Sequence, residues 1–236
     1  MKLVINSSIS YTVPLTTLLV SLTESDFDAF GDVIVVRGGA AQDRVGARRI
    51  CDILPLTQCK QIVFVIDTTG ENYDYHGFDA VYRFRHHDDV QSPWYFYVLD
   101  TVTVEPDFGT LFRHMSAKCE NVPGDRPTIV SCALPNSNIC IFNAALVLRY
   151  KGIFSTDKLT KKEAMMVECG HRVRAIKPLV AYAKVKLPLA PRTFVEQCDP
   201  YDTGFDRDKW HYPDLHLHKY ILWGMTGEFC GDAFTY

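Results

Sequence analysis

From Trp94 through Leu99 the chain reads Trp-Tyr-Phe-Tyr-Val-Leu, an aromatic and apolar run that stops abruptly at Asp100-Thr101, with Pro106 closing the segment. Aromatic and β-branched side chains suit a pleated surface, and an unbroken run of this length is the pattern of a strand covered on both faces. Such a strand needs packing layers above and below its sheet, which points to an α/β fold. Asp100 then lies where a buried strand emerges, rigidly held and desolvated on its strand side. Ligands of open α/β sheets bind at the carboxyl ends of the strands. A carboxylate there suits a hard cation and, through it, a phosphate. The plain alternative is a turn cap, with Thr101 hydrogen-bonding locally.

The pattern recurs upstream. Residues 3–5 read as a first short strand running into the polar Asn6-Ser7-Ser8-Ile9-Ser10. Pro14 opens a helix in which Leu15, Leu18, Leu19 and Leu22 recur at helical spacing. Residues 32–40 form a second strand running into Gly38-Gly39, where a missing Cβ lets a ligand approach backbone N–H groups. Residues 45–54, flanked and studded by Arg44, Arg48 and Arg49, read as a short helix. Residues 61–67 are a third strand ending in Asp67-Thr68-Thr69-Gly70, residues 79–84 a shorter alternating fourth, and residues 94–99 the fifth. Three continuous apolar runs among five strands predict a central, mainly parallel sheet flanked by helices.

The second half changes character. Residues 108–118 read as a helix, 128–133 as a strand, 135–138 as a turn and 139–148 as a further apolar run. Residues 159–169 look helical, and residues 177–189 alternate like a strand. From Glu196 the chain is dense in Asp, Gly, His and aromatics but lacks periodicity. It carries Asp199, Asp202, Asp206 and Asp208, then His211, His216 and His218, then Trp223 and Glu228. A polar, irregular and aromatic stretch reads as a region covering a ligand site.

At 236 residues the chain fits one domain. Its 47% hydrophobic content excludes disorder. A net charge of −3 without a basic run disfavours a nucleic-acid partner. No apolar stretch approaches the roughly 20 residues of a membrane span, and the start turns polar too early for a signal peptide. The eight cysteines never form Cys-x-x-Cys, and Cys132 and Cys140 sit in apolar runs. Reduced, buried thiols in a cytoplasmic compartment are therefore expected. The chain stops at Phe234-Thr-Tyr236 without a polar tail, which leaves open that it is one domain of a longer polypeptide.

Three features together resemble GT-A-fold (Rossmann-like) glycosyltransferases, in particular the small ones encoded by large algal (chlorella) viruses. The strand 95–101, Tyr-Phe-Tyr-Val-Leu-Asp-Thr, sits where that family has its Asp-x-Asp strand end. The segment 139–148, Ile-Cys-Ile-Phe-Asn-Ala-Ala-Leu-Val-Leu, is similar to a Phe-Asn-Ala/Ser-Gly strand of galactosyltransferase-like and glycogenin-like members. A late His218-Lys219, followed by Trp223-Gly224, stands where those members use a histidine as a metal ligand. The first acid of Asp-x-Asp is replaced by Val98, leaving one carboxylate.

The resemblance implies transfer of a sugar from a UDP-sugar donor to a glycan acceptor, with retention of configuration, in the host cytoplasm if the chain is viral. It implies Mn²⁺ (or Mg²⁺) bound by Asp100 with His218, or else His216, because Mn²⁺ accepts mixed carboxylate and imidazole ligands. The nucleotide is expected at Ser8, Ser10, Arg37, Gly38, Gly39, Asp67, Thr68 and Thr101, with Lys219 on a phosphate oxygen. Sugar and acceptor are expected at Asn138, Asn143 and Trp223, since amides both donate and accept. The catalytic carboxylate is sought among Asp199, Asp202, Glu228 and Asp232. Two other readings stand beside this one: a nucleotidyltransferase, and a non-catalytic carbohydrate- or nucleotide-binding domain that lost an acid at Val98.

Overall fold

The computed structural model describes residues 1–10, 12–49, 63–69, 76–125, 127–133, 136–149, 193–197 and 207–222. Strand β1 (Lys2–Ser8) is followed by helix α1 (Thr12–Glu24), β2 (Val33–Gly38), β3 (Gly46–Arg49) and β4 (Val63–Asp67). Helix α2 (His76–Arg83), β5 (Trp94–Leu99), the short β6 (Val102–Val104) and α3 (Phe108–Glu120) come next. Then follow β7 (Ile129–Ala133), β8 (Asn136–Asn143), α4 (Ala144–Arg149), β9 (Thr193–Gln197), β10 (Arg207–Tyr212) and β11 (Leu217–Leu222).

Seven strands form one sheet in the order β3-β4-β2-β1-β5-β8-β7. The pairings β4–β2, β2–β1 and β1–β5 are parallel, whereas β3–β4, β5–β8 and β8–β7 are antiparallel. The sheet is thus mixed where a mainly parallel one was expected. Alternating side chains divide between two cores, as the period of two requires. Leu3, Ile5, Phe96 and Val98 point to one core with Leu15, Leu18, Leu19 and Leu22 of α1 and Phe108, Phe112 and Met115 of α3. Val4, Tyr95, Tyr97 and Phe142 point to the other, with Phe78 and Val81 of α2 and Leu146 of α4. The run 94–99 is therefore a strand covered on both faces, as its composition dictates. Pro14 sits in the first turn of α1, where its missing N–H leaves no intrahelical bond unmade.

A second, antiparallel sheet runs β6-β11-β10-β9. It is joined to the first through Asp100 and Thr101, the only residues between β5 and β6. Leu217, Leu215 and Tyr212 anchor it on the α1–α3 side of the core.

Four local expectations are corrected. Residues 79–84 lie in and just beyond helix α2 and form no strand. Val81 and Tyr82 lie at helical spacing from Phe78 just before them, and Arg83 pairs with Asp79 one turn back. The segment predicted as a helix over 45–54 contains strand β3, which pairs with β4 residue by residue. Asn136 to Asn138 belong to β8, not to a turn, and the run 139–148 breaks at Asn143 into helix α4. Finally, residues 207–222 of the tail are a regular hairpin, β10 and β11. The helix expected over 159–169 and the strand over 177–189 lie outside the described residues. Cys119 and Cys140 are buried free thiols. Among the described residues no helix is long and apolar enough to cross a membrane.

Candidate functional site

The parallel strands β1, β2, β4 and β5 end at one edge, and each changes there from apolar to polar. Register places Ser7 beside Arg37, Ser8 beside Gly38, Arg37 beside Asp67, and Asn6 beside Leu99. Asn6, Ser7, Asp67, Thr68, Asp100 and Thr101 form a buried polar rim at this edge. Buried polar groups need partners, and the rim supplies those of Ser7, Asp100 and Asp67. Ser7 Oγ donates to Asp100 Oδ2 at 2.8 Å. Arg37 Nε and Nη2 donate to Asp67 Oδ1 and Oδ2 at 2.7 and 3.0 Å, a bidentate fork. The backbone closes the edge: Thr68 N–H donates to Arg37 O, Ala40 N–H to Thr68 O, Ile9 N–H to Gly38 O, and Asp100 N–H to Asn6 O, each at 2.9 Å.

Gly39, at φ +81°, makes the left-handed turn out of β2 that a side-chain-bearing residue rarely adopts. Ser8 and Ser10 share a hydrogen bond at 2.9 Å on the solvent side of the same edge. β1 has β2 on one flank and β5 on the other, so the strand order reverses here, at the topological switch point where α/β sheets bind ligands. The expected nucleotide residues Ser8, Ser10, Arg37, Gly38, Gly39, Asp67, Thr68 and Thr101 are thereby gathered on one rim, with Asp100 among them. Lys219 approaches the rim through the second sheet: it lies opposite Val102 and is buried, while the next residue, Tyr220, donates its N–H to Thr101 O at 2.9 Å.

The histidines belong to groupings that do not include Asp100. His211 and His218 face each other across β10 and β11 with rings stacked at 4.7 Å and 21°. His211 Nε2 is 2.8 Å from Glu105 Oε1. His216, at the left-handed φ of 49°, has Nδ1 2.8 Å from Asp107 Oδ1 and 3.6 Å from Glu105 Oε2. Among the described residues, ligating atoms within 4.8 Å of one another make two groups of three, Glu105–His211–His218 and Glu105–Asp107–His216. Asp100 is in neither. Glu105 and Asp107 were not singled out from sequence. The signal for His211 was present: it and His218 are equidistant from the centre of the Pro213–His216 turn, between Asp214 and Leu215, as partners in a hairpin must be.

Asn143 is fully buried and structural in its contacts. Its Oδ1 accepts from Thr128 N–H at 2.9 Å and from Leu146 N–H at 3.0 Å, capping α4, and its Nδ2 donates to Gly124 O. Asn138 is a residue of β8. Asp199, Asp202, Trp223, Glu228 and Asp232 lie outside the described residues. A cavity of about 520 Å³ opens at the opposite, amino end of the sheet beside Met1, Lys2, Asp32 and Ser92, away from the rim. No protein-family model matches this chain, and no curated protein matches it.

Proposed function

We propose that the protein is a glycosyltransferase that moves a sugar from a UDP-sugar to a glycan acceptor, with the nucleotide seated on the rim of β1, β2, β4 and β5. The observation that carries this reading is the cluster of buried polar residues at the switch point, where the apolar strand interiors give way to polar ends. Gly38 and Gly39 leave backbone space for a ribose or phosphate. Asp67, fixed by Arg37, offers its carboxylate edge to hydroxyls or to an imide N–H. Lys219, backed by the second sheet, is the cationic side chain nearest in sequence register to Thr101 and so the one suited to a phosphate oxygen.

Departure of the nucleotide builds negative charge on a diphosphate, which preorganised donors lower most effectively in a water-poor site. A divalent cation, when bound, would add Lewis-acid neutralisation of that charge. Its expected anchor, Asp100, is one buried carboxylate already accepting from Ser7, a sparse donor set for a hard cation. The steps assigned to this chain are therefore to hold the nucleotide and orient the diphosphate.

Titration calorimetry with UDP, with and without Mn²⁺, tests the reading on the wild type and Asp100→Asn. One UDP per chain is expected, weakened by the substitution. Equal heats in all four cases, or none in any, would sink it. Val98 in place of an acid favours the second reading, a binding domain without turnover; slow UDP release from a UDP-sugar separates the enzyme from that binder.

A further inference from the structure

We propose that Glu105, His211 and His218 form a binding site for a single zinc-class divalent ion on the second sheet. The site is distinct from the nucleotide rim and does not rest on the glycosyltransferase reading.

Three adjacent strands deliver the three ligands to one face. His211 and His218 are directly opposed across β10 and β11, and His218 is opposed by Thr103 across β11 and β6. Directly opposed residues share a face with Cβ atoms about 4.5–5.5 Å apart. Glu105 follows Thr103 by two residues, so it returns to that face. Its N–H donates to His216 O at 2.8 Å, carrying the β6–β11 ladder one step further and fixing where its carboxylate starts. The result is two imidazoles and a carboxylate whose ligating atoms all lie within 4.8 Å. Tetrahedral zinc with bonds of about 2.0–2.1 Å brings ligand atoms to about 3.3 Å from each other. The two rings are stacked at 4.7 Å and 21°, so binding requires the His218 ring to turn out of the stack about its side-chain torsions.

His211 Nε2 bears on the same contact. It is sealed from solvent and 2.8 Å from Glu105 Oε1, yet its alignment satisfies no hydrogen bond. A buried ring nitrogen that makes no hydrogen bond is one that a bound metal ion would satisfy. Around it stands the outer support that metal sites require. Glu105 uses Oε1 toward His211 and Oε2 toward His216, and His216 is in turn held by Asp107. Two nitrogens and one oxygen match zinc, cobalt and nickel better than magnesium or calcium, which take oxygen. Three protein ligands leave one tetrahedral position for water or a substrate atom, the open form of a zinc site.

The test uses the full chain stripped with chelator and titrated calorimetrically with Zn²⁺ alone, with UDP titrated separately. One Zn²⁺ per chain is expected. Glu105→Gln, His211→Ala and His218→Ala should each weaken it by more than the roughly 10–100-fold expected of the outer-support variant Asp107→Asn. His114→Ala, on the exposed face of α3, should bind as the wild type does. Glu105→Gln keeps shape and volume, so it carries the test if a histidine variant misfolds. X-ray absorption at the zinc edge of the wild type should report two imidazoles with oxygen. Absence of Zn²⁺ binding, sulfur scatterers from the cysteines, or full-strength binding by Glu105→Gln would each overturn the proposal. UDP binding is read independently, so either proposal can fail alone.

Discussion

Ser7 at the end of β1 donates its hydroxyl to the Asp100 carboxylate just beyond β5, tying the two parallel strands together at 2.8 Å where the strand order reverses. Asp100 is only 4% exposed, so the donor is not replaceable by bulk water. Ser7→Ala is expected to lower stability by about 1–3 kcal/mol. Urea denaturation monitored by tryptophan fluorescence measures it; an unchanged midpoint would mean that the contact is idle.

The Arg37–Asp67 fork makes a sharper prediction. Both groups are largely withdrawn from water, and removing one partner of such a pair leaves a buried charge uncompensated. Arg37→Met should cost about 3–5 kcal/mol. Arg37→Lys should fall between it and wild type, because an ammonium cannot reproduce two parallel N–H bonds. Equal stabilities of the Lys variant and wild type would show that the fork geometry is unimportant.

Asn143→Ala removes a helix cap and the bond that pins the start of β7 in one step. The expected loss is about 1–3 kcal/mol. Asn143→Asp keeps the accepting oxygen and should recover part of it. Hydrogen exchange at the Leu146 and Thr128 amides reads the two contacts separately.

Alkaline conditions should unfold the protein in a defined window. Burial pushes the Tyr95 phenol up to about 12 from 10.0, and the Cys119 thiol up to about 11 from 9.0. In both cases the unfolded chain loses its proton first, so the native state binds more protons and stability falls as pH rises. The contribution is whole below pH 9 and is lost progressively up to about 12. Tyr95→Phe should remove part of this dependence, although it forfeits the hydrogen bond to Val90 O at 3.1 Å. Alkylation of Cys119 at pH 8 should be slow in the native state and fast in urea; prompt native labelling would contradict its burial.

Gly109 in α3 lies so close to the Ser25 carbonyl that an added Cβ would overlap it. Gly109→Ala should destabilise by about 1–3 kcal/mol, since backbone has to move, in spite of alanine's better helix propensity. A gain in melting temperature would show that the approach is looser than this.

The legible parts of the fold were those where one segment decides its own state. The run 94–99 and the leucine spacing of α1 do so, because burial on two faces or on one stripe imprints a pattern directly. Residues 79–84 do not: six residues fit periods of 2 and 3.6 alike, and the packing of Phe78 against Tyr97 and Phe142 settles it. The segment at Ala47 becomes a strand through pairing with Ile66, a partner that local pattern cannot announce. At the candidate sites, the rim was readable because each strand ended in polar residues. Glu105 was not, because its meeting with His211 depends on the register between β6 and β11. Asn143 is expected from sequence at a sugar or acceptor, but its amide is spent on burial and capping bonds, which come from α4 turning away at that point.

Only two residues separate the last position of β5 from the first of β6, and Thr101, one of the two, also accepts from Tyr220. Such a short tether has no slack. A shift of the β10–β11 hairpin cannot be absorbed by a loop and must be transmitted to the backbone beside Asp100. Whatever grips the hairpin therefore also pulls on the mouth of the parallel strands, and the two sheets respond as a coupled pair.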